Sequence, residues 1–330
     1  MTPSDLIEAR DEVLRCVVAR SGGLRLAGAG AVVHGVGVGA KVVEGRTCDA
    51  IAVRVYVPEK RAQRHIDRSD RVPRAIDGVP IDVVASPPAY VRSGAVPSQQ
   101  QPHDPLFAGI SIGRTDTLYG TLAAFCRSTR AGEGGRILML SNQHVLARDN
   151  SLSGESIFQP GKQDAERQQL PLRPVAGLFR WHPIQAGSLG NTVDAGVAEL
   201  SGGFGHQPTI PGDAGRILGR AAATTNTIVV KFGRTTGLTE GVVTDLHCTM
   251  LVGLDPSDES KKATFIDQIR IDRRQGQTLF ADAGDSGSLV LEQGTGNAVG
   301  LYFAGPIDGS FGLANHIEAV VERLEIELLT

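Results

Sequence analysis

Cysteine is scarce. Four residues in 330, Cys16, Cys48, Cys126 and Cys248, stand far apart with no C-x-x-C pair. That excludes a disulfide-stapled mini-fold and a cysteine-ligated zinc module, and it favours reduced thiols in a cytoplasmic protein. An excess of charge is lacking too. Lys and Arg total 33 against 36 Asp and Glu, a net charge of −3, so neither a nucleic acid nor a membrane surface is expected as partner. Long hydrophobic runs are missing. Residues 1–20 are interrupted by Asp5, Glu8, Arg10, Asp11, Glu12 and Arg15, which argues against a secretory signal. The most apolar stretch, Leu26 to Ala40, is broken by glycines and His34 and ends at Lys41, which argues against a membrane span. Aromatic residues are few, 5% of the chain, whereas glycine is abundant at 41 residues. Such a chain suits many short strands joined by tight turns and excludes a helical bundle.

The length suits two folding units. In the first, Asp5 to Arg20 has the spacing of an amphipathic helix, with Leu6, Val13, Leu14 and Val17 on one face and Ser21-Gly22-Gly23 as its stop. Strand-like runs follow at Ala31–Val43 and Ala50–Val57. A short basic helix is expected over Lys60–Arg68 and a last strand over Val79–Ala85. Residues 1–86 therefore read as a small α+β domain. Residues 87–104 are rich in proline, serine and glutamine and read as a linker. Over 105–330 the texture changes to short β-prone runs bounded by glycine, the pattern of a sandwich or a pair of barrels. A closing helix is expected, capped by Asn315 with Glu318 three residues on, and striped by Ile317, Val320, Val321, Leu324 and Leu328.

Three segments of this second part carry chemistry. In Ile137 to Ala147 an apolar run ends in a polar turn holding His144. In Asn191 to Ala198 an acid, Asp194, is embedded among small apolar residues. Ala283 to Val290 is a glycine-flanked turn around Ser286. Alone, each is a common loop feature. Together they fit one purpose. Serine becomes nucleophilic near neutral pH only with a base, histidine is that base, and an aspartate fixes the imidazole tautomer. Glycines beside the serine let backbone N–H groups converge where an oxyanion would develop.

The chain order His, Asp, Ser, with Ser141-Asn142-Gln143-His144-Val145 and Gly284-Asp285-Ser286-Gly287-Ser288, resembles the chymotrypsin-like (trypsin-like) serine peptidases. Val299 to Gly305 looks like the strand that lines their substrate cleft. Val230 to Thr239, with the small leading domain, is similar to bacterial trypsin-like peptidases related to the plant narrow-leaf protease family. The resemblance implies a mostly β fold: a chymotrypsin-like double antiparallel β-barrel with a C-terminal helix, preceded by the α+β domain. It implies Ser286 as nucleophile, His144 as general base and then acid, and Asp194 as its orienter. The oxyanion hole would be the N–H groups of Gly284 and Ser286. Asp285 would be structural, and with no activation-generated N-terminus apparent, a zymogen-type salt bridge to it is not expected. Phe280 takes the position of the pocket base, where an Arg/Lys-cleaving enzyme would carry an acid. Asp282, Thr235, Thr236, Tyr302, Phe303, Ala304 and Gly305 complete the expected cleft, and an apolar or small side chain is the expected P1 residue.

A protein or peptide substrate follows, with no cofactor and no metal. Free proteolysis in a cytoplasm calls for restraint by the leading domain, by homo-oligomerisation or by selectivity for one partner protein. The rival reading is a catalytically silent or latent peptide-binding scaffold. A third is a regulatory module in which residues 1–86 bind a nucleotide or a partner. For a nucleotide there are two weak signals. Gly35-Val36-Gly37-Val38-Gly39-Ala40 has dinucleotide-loop spacing but is followed by β-prone residues, and the basic run 60–68 lacks a glycine loop. The histidines outside the triad show no paired ligand spacing, and His247-Cys248 is adjacent rather than spaced for zinc.

Overall fold

The computed structural model describes residues 2–21, 33, 35–43, 46–66, 71–86, 96–116, 119–188, 190–212, 215–255, 258 and 260–330. The chain divides into two compact units, Met1–Ser93 and Gly94–Thr330.

The first unit opens with helix α1 (Pro3–Ser21). Thr2 caps it. Its hydroxyl accepts the Asp5 N–H at 3.3 Å while the Asp5 carboxylate accepts the Thr2 N–H at 2.6 Å, a reciprocal capping box. Ala9 and Val13, one turn apart, are buried against Val53, Val55, Val79 and Ile81 of a sheet. That sheet contains β1 (Gly35–Val43), β2 (Arg46–Val57), β3 (Ala75–Ile76) and β4 (Val79–Ala85) in the order β1-β2-β4-β3. The glycine-spaced run 35–40 lies inside β1, antiparallel to β2. It makes no strand-to-helix turn of the kind a dinucleotide needs. The helix expected over 60–68 is a single 3-10 turn, Gln63–His65, because Lys60, Arg61, Arg64 and His65 provide no apolar stripe to bury. Residues 67–70 lie outside the described residues, as do 31–32 and 34 of the first expected strand and 87–95 of the expected linker.

The second unit is almost entirely β. Its first half holds β5 (Leu106–Phe107), β6 (Ser111–Ile112), β7 (Gly120–Thr121), β8 (Ala124–Ser128), β9 (Leu138–Ser141), the turn of helix α2 (Gln143–Leu146), β10 (Ser156–Phe158), helix α3 (Lys162–Arg167), β11 (Pro174–Trp181) and β12 (Gly196–Leu200). The second half holds β13 (His206–Gln207), β14 (Gly219–Arg220), β15 (Ile228–Gly233), β16 (Gly237–Gly253), β17 (Lys262–Arg273), β18 (Leu289–Glu292), β19 (Asn297–Ala304), β20 (Phe311–His316), helix α4 (Ile317–Leu324) and β21 (Ile326–Leu328).

Two barrels result. In the first, β6 pairs with β7, which leads through Leu122 and Ala123 into β8. A bridge between Gly113 and Phe158 joins this hairpin to β10 at the far side of the sheet β10-β11-β12-β9-β8, while β21 pairs with β8. In the second, β19-β18-β15-β16-β17-β20 closes on itself through the β19–β20 pairing, and β14 adds to its rim. Strand alternation feeds two cores at once. Leu138 and Leu140 face the core shared between the barrels, while Met139 faces the interior of the first. Leu289 and Leu291 likewise face the shared core, and Val290 the second barrel. Burial on both faces explains why these runs lack polar alternation.

Three details differ from expectation. Residues 96–104 of the expected linker belong to the second unit, because their polar side chains find partners there. Gln99 and Gln100 are buried, and Gln100 Nε2 donates to the Arg234 carbonyl at 3.1 Å. The last helix stops at Leu324, where Glu325 takes a left-handed φ of 46°. Ile326 and Leu328 then alternate inward as a strand against β8, so Leu328 is not on the helical stripe. Finally, Asn315 does not cap that helix. It lies in β20 with its side chain committed elsewhere.

Candidate active site

His144 sits on the one-turn helix that follows β9, and the segment carrying it is fastened to Asp194 from several sides. Asp194 Oδ1 accepts the backbone N–H of His144 at 3.1 Å, and Oδ2 takes a short hydrogen bond from its ring Nδ1. Asn142 Nδ2 donates to the Asp194 carbonyl at 2.7 Å. The acid is almost wholly buried, while the imidazole is 41% exposed. A carboxylate accepts, so Nδ1 carries the proton and Nε2 is left as the basic, outward nitrogen. Desolvation favours the neutral ring, yet the charge and hydrogen bond of Asp194 outweigh it. The His144 pKa is therefore raised above the ordinary imidazole value, with Arg114 opposing the rise.

Asp194 is itself held by a buried chain of amides. Asn315 Oδ1 accepts the Asp194 N–H at 3.0 Å, Asn315 Nδ2 donates to Gln268 Oε1 at 2.6 Å, and Gln268 Nε2 donates to the Thr192 carbonyl at 2.9 Å. Neither amide can leave without orphaning a buried polar group.

The Ser286 turn is built by two glycines and a buried acid. Gly284 and Gly287 have φ of +96° and +93°. A Cβ at Gly287 would lie 2.2 Å from the Thr121 carbonyl oxygen and 2.3 Å from Ser141 Oγ, so only glycine lets the turn approach the strand that leads to His144. Asp285, beneath the turn, accepts from Lys231 Nζ at 2.8 Å, Thr236 Oγ1 at 2.6 Å, and the N–H groups of Thr235, Thr236 and Asp282 at 2.9, 3.1 and 3.1 Å. Burial works against its ionisation, but the Lys231 ammonium and the Thr236 donors outweigh burial and hold it below the ordinary carboxylate range. Lys231 is wholly buried, with its ammonium 5.4 Å from the ring centre of Phe280. The acid thus has a cation from within the same unit.

Thr121 fastens the turn from the other barrel. Its N–H donates to the Ser286 carbonyl at 2.8 Å and its hydroxyl to the Gly284 carbonyl at 2.9 Å. Among the described residues, the N–H groups of Gly284 and Ser286 donate to no backbone carbonyl. The Ser286 hydroxyl donates to the Phe303 carbonyl at 3.3 Å and makes no hydrogen bond with His144. Tyr119 closes over Gly284. Its ring lies 3.7 Å from the Arg234 guanidinium, which is paired with buried Asp164.

The expected cleft residues divide. Phe280 is wholly buried in the second barrel, edge-on to Tyr302 with ring centres 6.1 Å apart, so it is a core residue and not a pocket floor. Tyr302 is buried beside it, and Phe303 packs on Phe265. Thr236 Oγ1 donates to Asp285, and Thr235 Oγ1 donates to the Ala283 carbonyl at 2.6 Å, so both brace the turn. Asp282 is exposed and accepts the Ala283 N–H at 2.7 Å. Ala304 is partly exposed and Gly305 exposed, at the end of β19. Thr121, Lys231, Gln268 and Asn315 stand outside the set expected from sequence. For Lys231 the one available signal was its place in the Val230–Thr239 motif.

No protein-family model and no curated protein matches this sequence. Among solved structures, Thermobifida fusca Protease A is 16% identical with a TM-score of 0.47, and the match covers 68% of this chain and 98% of that one. Nocardiopsis protease (NAPase) is 15% identical with a TM-score of 0.48 and the same coverage. Cellulomonas bogoriensis chymotrypsin is 16% identical with a TM-score of 0.45, again covering 68% and 98%. The double barrel of the present chain rests on its own strand pairing. No helix among the described residues is long and apolar enough to cross a membrane.

Proposed function

We propose that the Gly94–Thr330 unit is a serine endopeptidase acting on protein or peptide substrates in the cytoplasm. The observation that carries this reading is the grip of Asp194 on both the ring and the backbone N–H of His144, which leaves Nε2 as the basic nitrogen. Ser286 Oγ would attack the substrate carbonyl as its proton passes to Nε2. The N–H groups of Gly284 and Ser286 would receive the oxyanion, and His144 would return the proton to the leaving amine. Water would then release the acyl group by the same route in reverse. The substrate would run as an extended strand beside Phe303–Gly305.

A fluorophosphonate probe tests this. Its phosphorus is attacked by an activated serine and fluoride departs, so labelling reports an assembled nucleophile and base without a known substrate. Full-length wild type is expected to label, Ser286→Ala not at all, and His144→Ala only at a small fraction of the wild-type rate. Persistent labelling of Ser286→Ala would refute the assignment. One observation favours a second reading, a latent form. The Ser286 hydroxyl donates to the Phe303 carbonyl and must give up that bond before its proton can pass to His144. Wild type that labels only after a peptide ligand is added would support latency.

The pH profile follows from the raised His144 pKa. The base works unprotonated, so the labelling rate should climb with pH through a midpoint above the ordinary imidazole value. A midpoint at or below that value would contradict the coupling to Asp194.

A further inference from the structure

The amides that hold Asp194 lead to a second cluster, on the second barrel. His247 on β16, Asp267 on β17 and His316 at the end of β20 each offer one ligand atom, and these atoms lie within 4.8 Å of one another. His247 Nδ1 is 2.5 Å from Asp267 Oδ1, and the two imidazoles stack with ring centres 6.0 Å apart. The Nε2 of His316 is 2.6 Å from the Leu246 carbonyl. A carbonyl only accepts, so that nitrogen carries the proton and the Nδ1 lone pair is available. A histidine whose far nitrogen is fixed by a carbonyl is the usual arrangement behind a metal ligand.

The strands are irregular here. The register of β16 on β17 shifts between Asp245 and Cys248 and again between Cys248 and Met250. Such bulges turn side chains away from regular alternation and let neighbouring strands aim at one point. Asp267 has a φ of +59°, a left-handed conformation that aspartate tolerates but that still carries strain. A simple surface ion pair of His247 with Asp267 would need neither that backbone nor His316. His247 and Asp267 are 79% and 58% exposed, so an ion could enter and keep water on its remaining positions.

We propose that His247, Asp267 and His316 bind one divalent transition-metal ion of the Zn²⁺ class. Two imidazoles and one carboxylate suit Zn²⁺, Ni²⁺ or Cu²⁺ and do not suit Mg²⁺ or Ca²⁺, which prefer all-oxygen shells. The chain neighbours of two ligands are the amides behind Asp194. Asp267 precedes Gln268, His316 follows Asn315, and Gln268 and Asn315 are paired across β17 and β20. An ion there ties these strands together at the rung that supports the candidate active site.

The test is calorimetric titration of tag-free, full-length, chelator-treated protein with ZnCl₂, and with MgCl₂ as control. One Zn²⁺ per chain is expected, with a rise in Tm and with affinity reduced about tenfold or more in His247→Ala and in Asp267→Asn. Both side chains are exposed, so the metal-free variants should keep the wild-type Tm, which separates loss of ligand from loss of fold. Loading with Co²⁺ should give visible d–d bands that both variants lose. Absence of Zn²⁺ binding by wild type, equal binding by the variants, or equal binding of Mg²⁺ would overturn the proposal.

Discussion

Asp194→Asn is expected to lower the fluorophosphonate labelling rate about 10,000-fold while leaving the unfolding midpoint close to that of wild type. The carboxylate faces two donors, the backbone N–H of His144 on Oδ1 and the ring Nδ1–H on Oδ2. An asparagine can accept only one of them. With its amide oxygen on the backbone N–H, its NH₂ faces the ring, and Nδ1 must become an acceptor. The imidazole proton then moves to Nε2, the nitrogen that has to take the serine proton. The fold has little reason to change, because Asp194 is also fastened through its main chain, by Asn315 to its N–H and by Asn142 to its carbonyl. A loss below tenfold in labelling rate would mean that Asp194 does not set the tautomer of His144. A comparable collapse of stability would mean that Asp194 is chiefly structural.

The parts of the site visible in the sequence are those whose signal is local. His144 follows an apolar strand and Ser286 sits between glycines that its turn requires, so short windows suffice. The helix α1 and the glycine-bounded strands were legible for the same reason. Strands β11 and β20 were not. The bulge between Leu178 and Arg180 breaks the alternation of β11, and Gly312 and Asn315 interrupt β20. Asn315 shows how a local signal can mislead. With Glu318 three residues on it has capping-box spacing, yet its amide is worth more spanning Asp194 and Gln268 in the interior than capping a helix already buried through Ile317, Val320, Val321 and Leu324. The metal-ligand cluster has no local signal at all. His247, Asp267 and His316 come from three strands and meet only because β17 pairs with both β16 and β20.

Lys231 gives no local signal of its burial. A lysine between Val230 and Phe232 reads as the solvent side of a strand, but its side chain and that of Asp285 are both fully buried. Lys231→Met keeps the volume and removes the charge, leaving a buried carboxylate with four of its five donors. Breaking a buried pair in this way costs about 3–5 kcal/mol, most of it from the uncompensated charge left behind. Chemical denaturation near neutral pH should show that loss, and labelling of Ser286 should fall with it, because Asp285 holds the turn that carries Ser286. The acid limb carries the sign. The wild-type Asp285 pKa is depressed, so its contribution is present above the ordinary carboxylate range and is lost as pH falls through the depressed value. Lys231→Met should flatten that limb, its deficit relative to wild type shrinking as the medium becomes acidic. Adding Asp285→Asn to Lys231→Met should return part of the stability by removing the stranded charge, while labelling stays slow because Asn cannot accept from all of the remaining donors. A Lys231→Met protein within about 1 kcal/mol of wild type would show that the cation is dispensable and that the threonine and backbone donors alone hold the turn.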